Sequence, residues 1–88
     1  MLPGPAATSD EDLLTFARKF GGTVFHAVGT CRMGVDKLAV VGPDLRVRGV
    51  DRLRVIDASV MPTVTSANTH APTLMIAEKG ASLIINGP

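Results

Sequence analysis

His26 stands in the run Phe25-His26-Ala27-Val28-Gly29-Thr30-Cys31-Arg32-Met33-Gly34, which keeps neither a helical nor a strand period. An imidazole that titrates near neutrality, set in a loop of small residues, suits a general base that takes a proton from a substrate. The other reading is a loop histidine satisfied by its neighbours, and the residues alone leave both open. His26, Cys31 and His70 do not form a zinc set: no pair has structural-zinc spacing and only one thiol is present, so no metal site is expected. Cys31 reads as a small buried hydrophobe. A second candidate is Asn68-Thr69-His70-Ala71-Pro72, at the mouth of an apolar helical stretch. Asn68 or Thr69 there is an N-cap. The free N–H groups of that helix end offer a positive partial charge to an anionic ligand, and both uses are compatible. Arg46, Arg48, Arg52 and Arg54 alternate with Asp44, Asp51 and Asp57, without an aromatic side chain nearby. Nucleic-acid binding by base stacking is therefore not expected, and a salt-laced strand pair is.

These residues need elements to position them. Residues 1–7 are rich in Pro, Gly and Ala and form a lead-in. The spacing predicts a helix over 8–20, opened by a capping box of Thr8 and Glu11. Leu13, Phe16, Ala17 and Phe20 fall on one face of it, acidic residues crowd its start, and Arg18 and Lys19 close it. Gly21-Gly22 ends it, and the histidine loop covers 21–34. Short strands are expected within 38–57, at 38–41, 44–48 and 53–57, broken by Gly42-Pro43 and Gly49-Val50-Asp51. Leu45 and Val47 alternate with Arg46 and Arg48, as on a half-exposed strand. After the turn at 57–62 and the polar loop at 63–70, a final helix is expected over 71–86, with Pro72 in its first turn. It closes on Asn86-Gly87-Pro88. Glu78 and Lys79 are its only charges, so it expects burial on most sides. The fold class is α+β: two helices flanking a few short strands, too little to bury that helix. The chain reads as part of something larger.

Composition bounds the rest. Eighty-eight residues make one small domain at most. Hydrophobic residues are 45%, with three Phe and no Trp or Tyr, so the core is aliphatic. A net charge of +1 gives no field that steers the chain to nucleic acid or a membrane surface. One cysteine excludes an internal disulfide. No apolar stretch reaches the ~18–20 residues of a spanning helix. Residues 1–10 lack the basic and apolar regions of a signal peptide, and a cytoplasmic location is the expectation.

Taken in order, these segments resemble the C-terminal end of the glucose–methanol–choline (GMC) family of FAD-dependent alcohol oxidoreductases, nearest its choline-dehydrogenase-like branch. The resemblance rests on Pro3-Gly4 before Ser9-Asp10-Glu11, then His26-Ala27-Val28-Gly29-Thr30-Cys31-Arg32-Met33-Gly34, then Val41-Gly42-Pro43-Asp44-Leu45-Arg46-Val47. It continues with Leu53-Arg54-Val55-Ile56-Asp57-Ala58-Ser59-Val60-Met61-Pro62, and with Asn68-Thr69-His70-Ala71-Pro72-Thr73 leading into Met75-Ile76-Ala77-Glu78-Lys79.

The resemblance implies that His26 takes the substrate hydroxyl proton while hydride passes from the carbinol carbon to flavin N5. It implies that Asn68 holds the substrate oxygen. Asp57 and Ala58 match the turn that contacts the ribityl–pyrophosphate region of FAD, and Asn68, Thr69, His70 and Ala71 match the loop that faces the flavin ring. His70 departs from the Asn common at its position. The Gly-rich dinucleotide fingerprint is not among these residues, so the segment would complete an FAD/NAD(P)-binding-type α/β fold in its parent and be inactive alone. The partners implied are a small-molecule alcohol and the remainder of the enzyme. The alternative is a free-standing interaction or homo-oligomerisation module, whose apolar last helix packs on a partner chain.

Overall fold

A computed structural model describes residues 2–87. Met1 of the lead-in and Pro88 of the terminal run lie outside them. The first helix, α1, spans Asp10–Phe20, and its N-cap is Ser9. The capping box therefore starts one residue later than the Thr8–Glu11 pair suggests. Asp12 N–H donates to Ser9 Oγ at 3.1 Å, and the Asp12 carboxylate accepts from the backbone N–H of both Ser9 and Thr8, at 3.4 Å each. The later start wins because one carboxylate then serves two amides, and Asp10, Glu11 and Asp12 all sit in the first turn. Hydrogen bonding from Ser9, and then from Thr8, holds the Asp12 carboxyl below its ordinary range. Phe16 and Phe20 stack with ring centroids 5.1 Å apart. No residue of α1 is buried, and its apolar stripe faces outward, with Leu13, Leu14 and Phe20 exposed.

The expected strands at 38–41, 44–48 and 53–57 shrink to isolated bridges. Val41 pairs in parallel with Met33 and antiparallel with Val47, and Arg46 pairs antiparallel with Arg54. Longer ladders fail for backbone reasons. Pro43 has no N–H to donate, and Leu45 (φ 66°), Gly49 (φ 77°) and Arg52 (φ 61°) take left-handed conformations that turn the chain every few residues. The extended pieces still lie side by side. Gly34 N–H donates to Val41 O at 3.1 Å, Arg48 N–H to Val40 O at 3.0 Å, and Val47 N–H to Leu53 O at 2.9 Å. The alternation read from sequence is kept only in part: Leu45 is buried and Arg48 exposed, but Arg46 between them is half-buried like Val47.

The second helix, α2, spans His70–Asn86, one residue earlier than its Ala71-Pro72 start suggests, because Thr69 is the N-cap. Its inner face sets Ile76 and Gly80 against a small aliphatic core of Val41, Leu45, Val60 and Met61. Gly80 lets the helix press on Ile56. A Cβ at position 80 would lie 2.8 Å from Ile56 Cδ1 and closer still to its Cγ2. Gly80→Val should therefore destabilise the fold although valine is the better helix former. Overpacking costs ~1–3 kcal/mol, against a helix-propensity gain of well under ~1 kcal/mol. A lower thermal midpoint for the complete protein carrying Gly80→Val is the expected result. An unchanged or higher midpoint would show that Ile56 yields freely.

The radius of gyration is 18.6 Å, whereas a compact domain of this length has about 12 Å. The outer face of α2 carries exposed Leu74, Met75, Ile84 and Ile85. Among the described residues, no helix is long and apolar enough to cross a membrane.

Candidate functional site

Three segments converge at the N-terminal end of α2. The histidine loop is laid against the turn that follows the last extended piece: Gly29 and Cys31 N–H both donate to Ser59 O, at 3.1 and 3.0 Å, and Met33 N–H donates to Val60 O at 2.9 Å. Gly29 makes this approach with φ +92°, and its α-carbon faces Met61 O, which a Cβ would approach to 3.6 Å. A side chain here would meet the strain of a left-handed backbone, so glycine is required. The turn itself is a short 3-10 helix, Ala58–Val60, capped by Asp57. Ser59 N–H donates to Asp57 Oδ1 at 2.7 Å, and the Ser59 hydroxyl donates to the same oxygen.

The loop's far end is fixed by charge. The Arg32 guanidinium forks onto the Asp36 carboxylate at 2.9 and 2.6 Å, and Arg48 donates to the Asp36 backbone carbonyl. That hydrogen-bonded fork holds the Asp36 carboxyl well below the usual carboxylate range and raises Arg32 further above its own.

With its loop pinned at both places, His26 is half-buried and reaches α2. Its Nδ1 lies 2.7 Å from Thr69 Oγ1, a side-chain contact spanning 43 residues of sequence. Thr69 is the one buried polar residue among those described, 7% exposed. Its backbone carbonyl accepts from the Thr73 hydroxyl at 2.7 Å. Though Thr69 is the N-cap, its side chain makes no capping bond. Among the described residues, no side-chain hydrogen bond reaches the N–H groups of His70 and Ala71, which open the first turn of α2 next to Thr69. Asn68, His70 and Ala71 are exposed around it.

The structure brings His26 to Thr69 directly, and Asn68, His70 and Ala71 stand next to Thr69 in the chain. Asp57 and Ala58 border the same loop through the Ser59 carbonyl. No hydrogen bond ties Asn68 to His26 among the described residues. Cys31 is a free thiol and half-buried. Among the described residues, no group of three or more His, Cys, Asp or Glu is placed to hold a metal ion. A groove of about 600 Å³, lined by Arg46, Arg52, Leu53, Arg54, Ile84 and Gly87, opens at the other end of α2 and takes no part in this site. Sequence reasoning missed the His26–Thr69 contact and the Arg32–Asp36 fork. The first has no local signature. The second had one, an Arg and an Asp four residues apart.

The arrangement presents one nitrogen of an imidazole, anchored through the other, next to the positive end of a helix. It can accept a proton from a bound hydroxyl while the helix end favours negative charge nearby. The chain matches the family model described as GMC oxidoreductase over residues 1–77. It is 51% identical to an alcohol dehydrogenase [acceptor] of Pseudomonas putida over 85 residues, which are 97% of this chain and 15% of that protein. It is 51% identical over 82 residues to an oxygen-dependent choline dehydrogenase of Burkholderia vietnamiensis, covering 93% of this chain and 14% of that one. In three dimensions it is similar to pyridoxine 4-oxidase from Mesorbium loti. That match has a TM-score of 0.78 and 39% identity, covering 100% of this chain and 17% of the oxidase. The chain thus spans about 15% of the length of the alcohol dehydrogenase.

Proposed function

The chain belongs to the GMC oxidoreductase family, and from that premise we propose that it is the C-terminal catalytic segment of an FAD-dependent alcohol oxidoreductase. The observation that carries the reading is His26, held 2.7 Å from Thr69 at a helix end whose N–H groups no side chain caps. The residues present suit FAD. An N-terminal helix end stabilises negative charge on an adjacent ring edge by ~0.3–1 kcal/mol, and by more where partly buried. Of the segment 68–71, the exposed Asn68, His70 and Ala71 would hold that edge while the buried Thr69 side chain is turned to His26, and Asp57 with Ala58 would hold the ribityl–pyrophosphate region. When bound, FAD supplies the hydride acceptor, at N5.

His26 takes the hydroxyl proton of the substrate at Nε2 as the carbinol carbon becomes a carbonyl. Asn68, exposed beside it, donates an amide hydrogen bond to the substrate oxygen and orients the carbinol carbon. The similarity to relatives named for alcohol and choline supports a small hydroxyl-bearing molecule as the substrate class. A free-standing interaction module would leave the His26–Thr69 pair without a task, and the outward apolar faces of α1 and α2 find their cover in the remainder of the enzyme.

The test is the complete enzyme, mixed anaerobically with a panel of alcohols including choline. At least one of them should bleach the flavin absorption band. A flavin that dithionite bleaches and no alcohol does would remove the reading.

A further inference from the structure

The geometry points to Thr69 as the residue that sets the orientation and tautomer of His26, through a hydrogen bond from Nδ1–H to Thr69 Oγ1 that leaves the Nε2 lone pair for the substrate. This rests on the proposed role of His26 as the base. An N-cap threonine ordinarily uses its hydroxyl oxygen to accept from a helix N–H. Thr69 does not, although it occupies the cap position, with helical φ and ψ of −82° and 0°. Its oxygen is turned instead to the imidazole, at 2.7 Å. The acceptor that a helix N–H would have used is given to a ring N–H.

Three features keep that oxygen in place. Thr69 is buried at 7% exposure. Its carbonyl is held by the Thr73 hydroxyl one turn along, at 2.7 Å. Its branched β-carbon restricts rotation about χ1. The Thr69 backbone N–H also points toward Nδ1, at 3.4 Å. The 2.7 Å distance suits either direction of donation, and the base role assigned to Nε2 is what makes Nδ1 the donor to Oγ1, leaving the 3.4 Å approach of the Thr69 N–H as a contact without a hydrogen bond.

The consequence is chemical. A neutral imidazole carries one proton, and which nitrogen holds it is set by the partner of the other. With Nδ1–H spent on Thr69, Nε2 is the acceptor, and the same bond steadies the imidazolium once Nε2 has taken the proton. Thr69 is a positioning residue. It touches neither substrate carbon nor hydride, and acts through His26.

Two measurements on the complete enzyme test this. The first is read on the wild-type ring. The nitrogen chemical shifts of the His26 ring, in enzyme labelled with 15N at histidine and assigned by the signals lost in His26→Ala, read which nitrogen carries the proton. In the neutral form Nδ1 should show the protonated shift and Nε2 the unprotonated one. The reverse pattern would overturn the assignment, because Thr69 would then be donating and Nε2 would carry the proton. The second is anaerobic flavin reduction by alcohol. Thr69→Val should lower the limiting rate by about 10- to 100-fold, the scale of a misoriented catalytic group, with little change in the alcohol concentration that half-saturates. Thr69→Ser should restore most of it. A wild-type limiting rate in Thr69→Val would sink the inference and leave the role of His26 standing. A wild-type rate in His26→Ala would sink that role, while the nitrogen shifts of the wild-type ring would still read the Thr69 bond.

Discussion

In the complete enzyme, His26→Ala is expected to leave FAD bound and to slow anaerobic flavin reduction by alcohol ~10²–10⁴-fold, the usual contribution of a general base. FAD binding is spared because His26 sits on a loop tied by backbone hydrogen bonds from Gly29, Cys31 and Met33 to Ser59 and Val60. Removing the ring leaves those bonds and the N-terminal end of α2 in place. The cost falls on the proton. Without a base at Nε2, the hydroxyl must lose its proton to water while hydride departs, and the barrier rises accordingly. Asn68→Ala should slow reduction by a smaller factor, since it removes a hydrogen bond to the substrate oxygen and keeps the base. Because the base must be unprotonated to act, the wild-type rate should rise with pH, and His26→Ala should lose that rise. Stopped-flow measurements across pH on the three proteins decide it. Reduction of the His26→Ala flavin at near the wild-type rate would make His26 a structural loop histidine.

The helices were legible because their signals are local. Ser9 and Asp12, the acidic first turn and the Gly21 stop all lie within a few residues of α1, and the one-residue shift of its cap reflects two overlapping boxes in Thr8-Ser9-Asp10-Glu11-Asp12. The strands were legible in position, since the bridges at Val41, Arg46, Val47 and Arg54 fall within the expected segments, but not in length, and their alternation only in part. Left-handed backbone at Leu45 and Arg52 breaks the ladders, and neither residue type announces that conformation. At the site, the sequence singled out His26 and the 68–71 segment separately. What it could not supply was their meeting, a contact between residues 26 and 69 that depends on the Ser59 carbonyl anchoring the loop. Gly80 carried an unused hint. A glycine inside an apolar helix costs ~1 kcal/mol against alanine, so a close packing partner was to be expected, and Ile56 is that partner.

The 88-residue polypeptide on its own is expected neither to retain FAD through gel filtration nor to behave as a cooperatively folded monomer. Both expectations follow from where its apolar residues stand. Among the described residues, only Val41, Leu45, Val60, Met61 and Ile76 form a buried cluster, and α1 buries nothing. The outer side of α2 leaves Met75 61% and Ile85 79% exposed. Apolar faces of this kind on two helices form patches that mark an interface. In the proposed enzyme they lie against its other segments, and in the isolated chain they meet water or each other. Self-association buries the α2 face but does not supply FAD with a pyrophosphate site, because no Gly-rich strand-to-helix turn is present among the 88 residues. Sedimentation should therefore show oligomers or a broad distribution, thermal unfolding should lack a sharp transition, and the eluted protein should be colourless. A sharp monomer boundary with a cooperative melt would mean that the small core suffices and that the exposed faces of α1 and α2 are ordinary surface. Stoichiometric flavin on the eluted chain would mean that the α2 N-terminus and the Asp57 turn hold the cofactor without help, and would move the binding determinants of the enzyme into this segment.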